Sequence, residues 1–220
     1  RSNIGIVNVS AKQFTGLNHP HGVAIGDLYN EGHNELVIAD RDNNRVLVYA
    51  SNGTLLKQFP YSYPVQPYGV AIGDYDNDGQ NEIAIADSTA YGTMGKVTVY
   101  KSDFTTIVKQ WSGYNSWGVA FGDYDGDGLT EIAFSTGSPT GQWNVTVYKS
   151  DGVTIVKQWS GNDGGGATGV AIGDYDNDGS NELAFAWIHY PAPGNVTVYK
   201  NNGITIVRQW TGLAEPHSVA

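Results

Sequence analysis

Gly69-Val-Ala-Ile-Gly-Asp74-Tyr-Asp76-Asn-Asp78-Gly79-Gln80-Asn-Glu82 decides the fold. A short apolar run enters an acidic turn with glycine at its sixth position, and a second apolar run, Glu82-Ile-Ala-Ile-Ala-Asp87, leaves it. The opening Gly-Val-Ala-Ile-Gly-Asp recurs at Gly22 to Asp27, Gly118 to Asp123 (Phe121 replacing Ile) and Gly169 to Asp174, and a further start stands at Ser218-Val219-Ala220. The intervals are 47, 49, 51 and 49 residues. Self-similarity at a fixed period of this size marks a repeat architecture.

Working outward from that stretch, each unit holds four strand signals. After the first two runs come the alternating Lys96-Val-Thr-Val-Tyr100 and then Thr106-Ile-Val-Lys-Gln-Trp111. Period-two alternation with β-branched residues, broken by Asn-Gly and Asp-Gly turns, predicts antiparallel hairpins. Four strands in about 49 residues predict an all-β β-propeller of four-stranded antiparallel blades. The expected division is one domain: 1–21 the second half of a blade, 22–68 blade one, 69–117 blade two, 118–168 blade three, 169–217 blade four, and 218–220 the start of another. Four complete blades plus partial blades at both ends follow. Residues 12–24 closely match 208–220. Two explanations stand: a piece of a larger propeller, or blades completed between chains. Either leaves strand edges that need a partner.

The acidic turns carry the chemistry. Asp74, Asp76, Asp78 and Glu82 occupy positions 1, 3, 5 and 9, as do Asp123, Asp125, Asp127 and Glu131, and Asp174, Asp176, Asp178 and Glu182. Like charges this close repel unless a cation joins them. Calcium suits the set, since it takes six to eight oxygens including carbonyls. The carbonyls at position 7, of Gln80, Leu129 and Ser180, are expected to complete the shell. An EF-hand needs twelve residues and flanking helices, whereas here strands flank nine. A single such turn could simply be solvated; three near-identical copies point to a bound ion. In the first unit Asp27, Glu31 and Glu35 remain, but Tyr29 takes position 3 and Glu31 is long for position 5, so that site is expected to be weak or empty.

Composition narrows the rest. The chain has 220 residues, 29 glycines, no cysteine and a net charge of −10. Without cysteine there are no disulfides, thiolate zinc sites or cysteine nucleophiles. The acidity argues against nucleic acid, whose phosphates need clustered Lys and Arg. No stretch approaches the roughly 18 apolar residues that span a bilayer. No Gly-x-Ser-x-Gly, phosphate loop or His-Glu-x-x-His occurs, so no catalytic residue is assigned and a non-enzymatic role is expected.

The unit Gly-Val-Ala-Ile-Gly-Asp-x-Asp-x-Asp-Gly-x-x-Glu resembles the FG-GAP/VCBS repeat, related to the integrin α-subunit propeller. The resemblance implies an extracellular or cell-surface propeller, usually of about seven blades, with calcium in these loops. It matches Asp74, Asp76, Asp78 and Glu82 and their counterparts in the next two units to the family's ligand positions. The opposite, variable face is aromatic: Tyr61, Tyr63, Tyr68, Tyr91, Tyr114, Trp117, Trp143 and Tyr190, with His189 nearby. These can stack on sugars or anchor a protein, or pack the loops onto the blades. The aromatics repeated once per unit, Phe14, Phe59, Trp111, Trp159 and Trp210, and Tyr49, Tyr100, Tyr148 and Tyr199, read as blade-to-blade packing, with ligand stacking as the alternative. Sequons at Asn8, Asn52, Asn144 and Asn195 are compatible with secretion. The functional expectation is a calcium-stabilised module binding glycan or protein. Its alternatives are a filament or surface-layer subunit that self-associates through its end blades, and a calcium-dependent lyase or hydrolase.

Overall fold

The computed structural model describes residues 12–89, 95–113, 115–137, 141–162, 164–188, 193–214, 216, 217 and 219. Blade one is β1 (Pro20–Gly26), β2 (Glu35–Asp40), β3 (Arg45–Ala50) and β4 (Leu55–Pro60), with one 3₁₀ turn at Arg41–Asn43. Blade two is β5 (Val65–Gly73), β6 (Glu82–Thr89), β7 (Lys96–Lys101) and β8 (Ile107–Ser112). Blade three is β9 (Asn115–Gly122), β10 (Glu131–Gly137), β11 (Gln142–Tyr148) and β12 (Ile155–Asn162). Blade four is β13 (Gly166–Gly173), β14 (Glu182–Ile188), β15 (Gly194–Tyr199) and β16 (Ile206–Leu213). Every sheet is an antiparallel meander in chain order.

The four sheets stand in a ring, a four-bladed β-propeller, with β1, β5, β9 and β13 lining a central channel of about 360 Å³. The resemblance implied about seven blades; the structure has four. Each blade begins two to four residues earlier than expected, at Pro20, Val65, Asn115 and Gly166, because the first strand extends back past the repeated glycine. Of the partial blades, residues 1–11, 218 and 220 lie outside the described residues, and residues 12–19 form no strand before β1.

Glycine opens each inner strand because the strands converge there. A Cβ on Gly118 would stand 2.8 Å from Gly169 Cα, and one on Gly69 2.6 Å from the Trp117 carbonyl. Only hydrogen fits between backbones this close.

Between blades, large residues of one second strand seat against small residues of the strand before it. Ile83 and Ile85 pack against Val37 and Ala39; Ile132 and Phe134 against Ala84 and Ala86; Leu183 and Phe185 against Ala133. The once-per-unit aromatics close the same seams. Ring centroids are 5.6 Å apart for Phe59 and Tyr100, 5.5 Å for Trp111 and Tyr148, and 5.3 Å for Trp159 and Tyr199. These aromatics are packing residues, not a ligand platform.

Phe14 meets Tyr49 in the same way at 4.5 Å, and Lys12 Nζ donates to the Asn52 carbonyl as Lys57 does to Asp103 and Lys109 to Asp151. Residues 12–14 therefore stand before blade one as each outer strand stands before the next blade. At the other end His217 approaches His21 at 6.4 Å, while Thr168 Oγ1 donates to the Pro216 carbonyl. The seam between blade four and blade one thus holds a fifth, partly filled position. Around it apolar surface is open: Val23 is 65% exposed although its counterpart Val70 is 6% exposed, and Ile25 is 70% exposed although its counterpart Ile72 is partly buried.

One buried acid gives the fold a pH signature. Asp87, at the end of β6, accepts from the Lys96 N–H at 2.9 Å, and burial raises its carboxyl to about 6. The unfolded carboxyl titrates near about 3.9, so the native state holds the proton more tightly. Its contribution to stability is full below about pH 4, falls as the pH rises toward 6 and is level above that. Asp87→Asn keeps a hydrogen-bond acceptor and removes the charge. In thermal unfolding this variant is expected to be more stable than the parent by about 1–3 kcal/mol at pH 7, the gain shrinking toward pH 4.

Candidate functional site

Each first-to-second-strand loop is built on two carboxylates that accept backbone N–H groups. The position 1 aspartate accepts two loop N–H groups: Asp74 from Asp78 and Gly79 at 3.0 and 2.9 Å, Asp123 from Gly126 and Gly128 at 2.8 and 2.9 Å, and Asp174 from Asp178 and Gly179 at 3.1 Å each. The position 9 glutamate is buried and reaches back across the hairpin. Glu82, Glu131 and Glu182 accept from the N–H of Tyr75, Tyr124 and Tyr175 at 2.8, 2.8 and 3.0 Å. Position 4 adopts a left-handed conformation, at φ 58° in Asn77, 59° in Asn177 and 78° in Gly126, which Asn and Gly reach at least cost.

Blade one keeps this framework without the full set of acids. Asp27 accepts from Glu31 and Gly32 at 2.9 and 2.8 Å, and Glu35 from Leu28 at 2.9 Å. Loop shape therefore does not depend on an acid at position 3, where Tyr29 stands, nor on an aspartate at position 5, where Glu31 stands.

Those carboxylates form the clusters that could hold a metal ion. Ligand atoms of Asp74, Asp76 and Asp78 lie within 4.8 Å of one another, as do those of Asp123, Asp125 and Asp127, and of Asp174, Asp176 and Glu182. The donors are all hard oxygens, which suits a hard divalent cation. Buried Glu131 Oε1, Glu182 Oε1 and Asp125 Oδ1 have no hydrogen-bond partner, and a cation would satisfy them. Gln80, Leu129 and Ser180 donate their N–H to the position 5 aspartates at 2.8, 2.9 and 2.9 Å. In blade one Tyr29 packs against the core beside Leu28, and the chain forms no such cluster among the described residues there.

The sequence reading missed a lysine in every intact loop. Lys101 Nζ lies 2.8, 2.7 and 2.9 Å from Asp76, Asp78 and Glu82. Lys149 contacts Asp125, Asp127 at 2.6 Å and Glu131 at 3.3 Å, and Lys200 contacts Asp176, Asp178 and Glu182 at 2.6, 2.6 and 3.2 Å. The lysine bonds hold Asp78, Asp127 and Asp178 below the usual carboxylate range, while burial pushes Glu82 and Glu131 up. Burial alone would lower Lys101 and Lys149, but the acids outweigh it and both titrate above an ordinary lysine; Lys200 does so through Asp176 and Asp178. The signal was present in the sequence, since Tyr-Lys ends the third strand of three units and Tyr49-Ala50 that of the first.

At the opposite end of the channel the residues just before the repeated glycine meet. His21, Tyr68, Trp117, Thr168 and His217 line a pocket of about 300 Å³ with Arg41. His21 packs edge-on to Tyr68 at 4.9 Å, and the Arg41 guanidinium lies over the Tyr68 ring at 5.2 Å. Burial, then the charges of Arg41 and His217, lower the His21 imidazole, which is neutral at pH 7. Of the expected aromatic face, Tyr68 and Trp117 belong to this pocket. Tyr63 is exposed away from it. Tyr61 packs on the blade-one core and Trp143 is buried against Phe185 and Trp187, so both are packing residues. Tyr91, Tyr114, His189 and Tyr190 lie outside the described residues, as does Asn8. Asn52 stands on an exposed turn, whereas Asn144 and Asn195 sit within paired strands.

A family described as the FG-GAP-like repeat matches residues 27–85, from the loop of blade one to the second strand of blade two. That segment is an FG-GAP-like repeat. The loops at 123–131 and 174–182 continue its acidic pattern beyond the matched stretch, and the family expected from the repeated unit is the one found. No curated protein matches the chain. Among solved structures, the V. cholerae biofilm matrix protein Bap1 is similar at TM-score 0.54 and 20% identity, over 90% of this chain and 30% of Bap1. The Dos1 propeller is similar at TM-score 0.54 and 13% identity, over 84% of this chain and 46% of that one. Chaetomium thermophilum Raptor matches at TM-score 0.54 and 15% identity, over 89% of this chain and 17% of its own. The chain spans less than half the length of each, and at these identities the likeness is one of fold. No helix among the described residues is long and apolar enough to cross a membrane.

Proposed function

We propose that this FG-GAP-like propeller is an extracellular, non-enzymatic binding module, braced by calcium at one end of its channel and binding glycan or protein at the other. The observation that carries the reading is the division of labour along the inner strands. Their far ends lead into three oxygen-rich loops, and their near ends converge on a pocket of Tyr68, Trp117, His21, His217 and Arg41. Asp74, Asp76 and Asp78, and their counterparts, would hold calcium, which supplies the positive charge that brings the loop carboxylates together. The pocket is large enough for about one sugar ring. Trp117 and Tyr68 supply apolar faces for stacking, and Arg41 supplies donors that fix orientation.

Two measurements test the two ends separately. Calorimetric titration with calcium chloride is expected to count about three ions. Each site, at about ten times its Kd, adds about 1.4 kcal/mol of stability, so chelation lowers the melting temperature. A count of zero would remove calcium from the reading. A glycan array comparing the parent with Trp117→Ala is expected to show binding that falls tenfold or more in the variant. Binding unchanged by the substitution would move the ligand away from the channel mouth, and absence of glycan binding by the parent would leave a protein as the partner.

A second reading, self-association with a blade completed between chains, is favoured by the open seam. Val23 and Ile25 face outward on one side of it. On the other, Tyr175 is 49% exposed, whereas its equivalents Tyr75 and Tyr124 are fully buried by the next blade. Light scattering over a hundredfold concentration range is expected to show growth that Val23→Asp with Ile25→Asp abolishes. A parent that stays monomeric throughout would rule this reading out.

A further inference from the structure

We propose that Lys101, Lys149 and Lys200 are the resident cations of the three acidic loops, and that each loop holds either its own lysine ammonium or a divalent ion, never both. The proposal rests on the calcium reading above and adds a competitor built into the chain.

Three observations carry it. In each intact loop the lysine Nζ sits among oxygens of positions 3, 5 and 9, within the set of donors a metal would use. A divalent ion and an ammonium cannot share oxygens at that range without strong repulsion. The shell is nevertheless incomplete with lysine in it. Glu131 Oε1 and Glu182 Oε1 are buried, face Nζ at 3.3 and 3.2 Å, and have no hydrogen-bond partner. An ammonium has three donors, of which two go to the aspartates at positions 3 and 5, whereas calcium accepts six to eight oxygens.

The second observation is the internal control. Blade one lacks the aspartates at positions 3 and 5, and there the lysine position is Ala50. Its loop still closes through Asp27 and Glu35. Lysine is thus not needed to shape the loop, and it accompanies the charge it neutralises.

The third is how the lysine is mounted. The tyrosine at loop position 2 donates to the lysine's own carbonyl in the next blade: Tyr75 to Lys149 at 3.2 Å and Tyr124 to Lys200 at 3.0 Å. The backbone under Lys149 and Lys200 is pinned in this way, while the side chains of Lys101, Lys149 and Lys200 stay 27%, 24% and 21% exposed. A long stem on a fixed base can swing its head into water when a stronger cation arrives.

The experiment compares the parent with Lys101→Met/Lys149→Met/Lys200→Met, titrating both with calcium chloride and melting both in chelator. The variant is expected to bind calcium at least tenfold more tightly and to melt at a lower temperature than the parent when metal is absent. Parent and variant binding with equal affinity would overturn the proposal while leaving the calcium reading intact. Binding by the variant alone would uphold it and show that lysine has displaced calcium from the native loops. Binding by neither would end both. Should the triple variant fail to fold, Lys149→Met alone decides the matter, since one site of three must gain affinity against two unchanged ones.

Discussion

Electrostatic repulsion within the loops governs this propeller. Two carboxylates about 4.8 Å apart repel by about 3 kcal/mol at an effective dielectric near 20. Each intact loop gathers four acids, including one buried glutamate that cannot retreat into water. A hairpin carrying that charge opens unless positive charge enters it. Three of the four blades turn through such a loop to pair their first two strands, so in those blades hairpin formation and charge compensation are one problem.

The loops also transmit that constraint around the ring. Asn30 accepts from the Asn81 N–H at 2.8 Å, Asn77 from Thr130 at 3.1 Å, and Asn181 donates to the Asp123 carbonyl at 2.7 Å. The position 2 tyrosines pass behind these bonds to the lysine-bearing strand of the following blade. A loop that loses its cation is therefore loosened together with the blade it is stitched to. Nearest-neighbour coupling of this kind is how repeat architectures hold together, and it makes the seam between blades four and one the weakest joint. There Tyr175 is 49% exposed, and Trp210 packs on Tyr175 as Trp111 does on Tyr75 and Trp159 on Tyr124, but meets no tyrosine of a next blade among the described residues.

The blades were legible because the chain repeats. Alternation in Glu82-Ile-Ala-Ile-Ala-Asp87 names the strand, and its large-small pattern even names which side meets which neighbour, though that reading needs two adjacent copies. The number of blades in the ring was not legible, because closure depends on the angle between sheets, which small differences in packing set. The acid positions were visible one by one, but the lysine lies 18 to 25 residues away beside another strand, so register had to be known first. Trp143 misled for a related reason. Its place in a variable stretch suggested a surface loop, whereas the structure puts it in β11 with Gly161 opposite, leaving room for the indole inside.

Blade one separates two roles that the other blades merge. Its loop keeps the glycine at position 6, the left-handed Asn30, the aspartate at position 1 and the glutamate at position 9, and so it folds. It has given up the aspartates of positions 3 and 5 together with the lysine. Had those acids served only to shape the turn, their loss would have deformed it, and it has not. Had the lysine served only to brace the blade, its loss would have had no reason to coincide with theirs. The aspartates at positions 3 and 5 and the ammonium opposite them are therefore lost together, with Tyr29, an exposed Glu31 and Ala50 in their places, over a turn that stands without them.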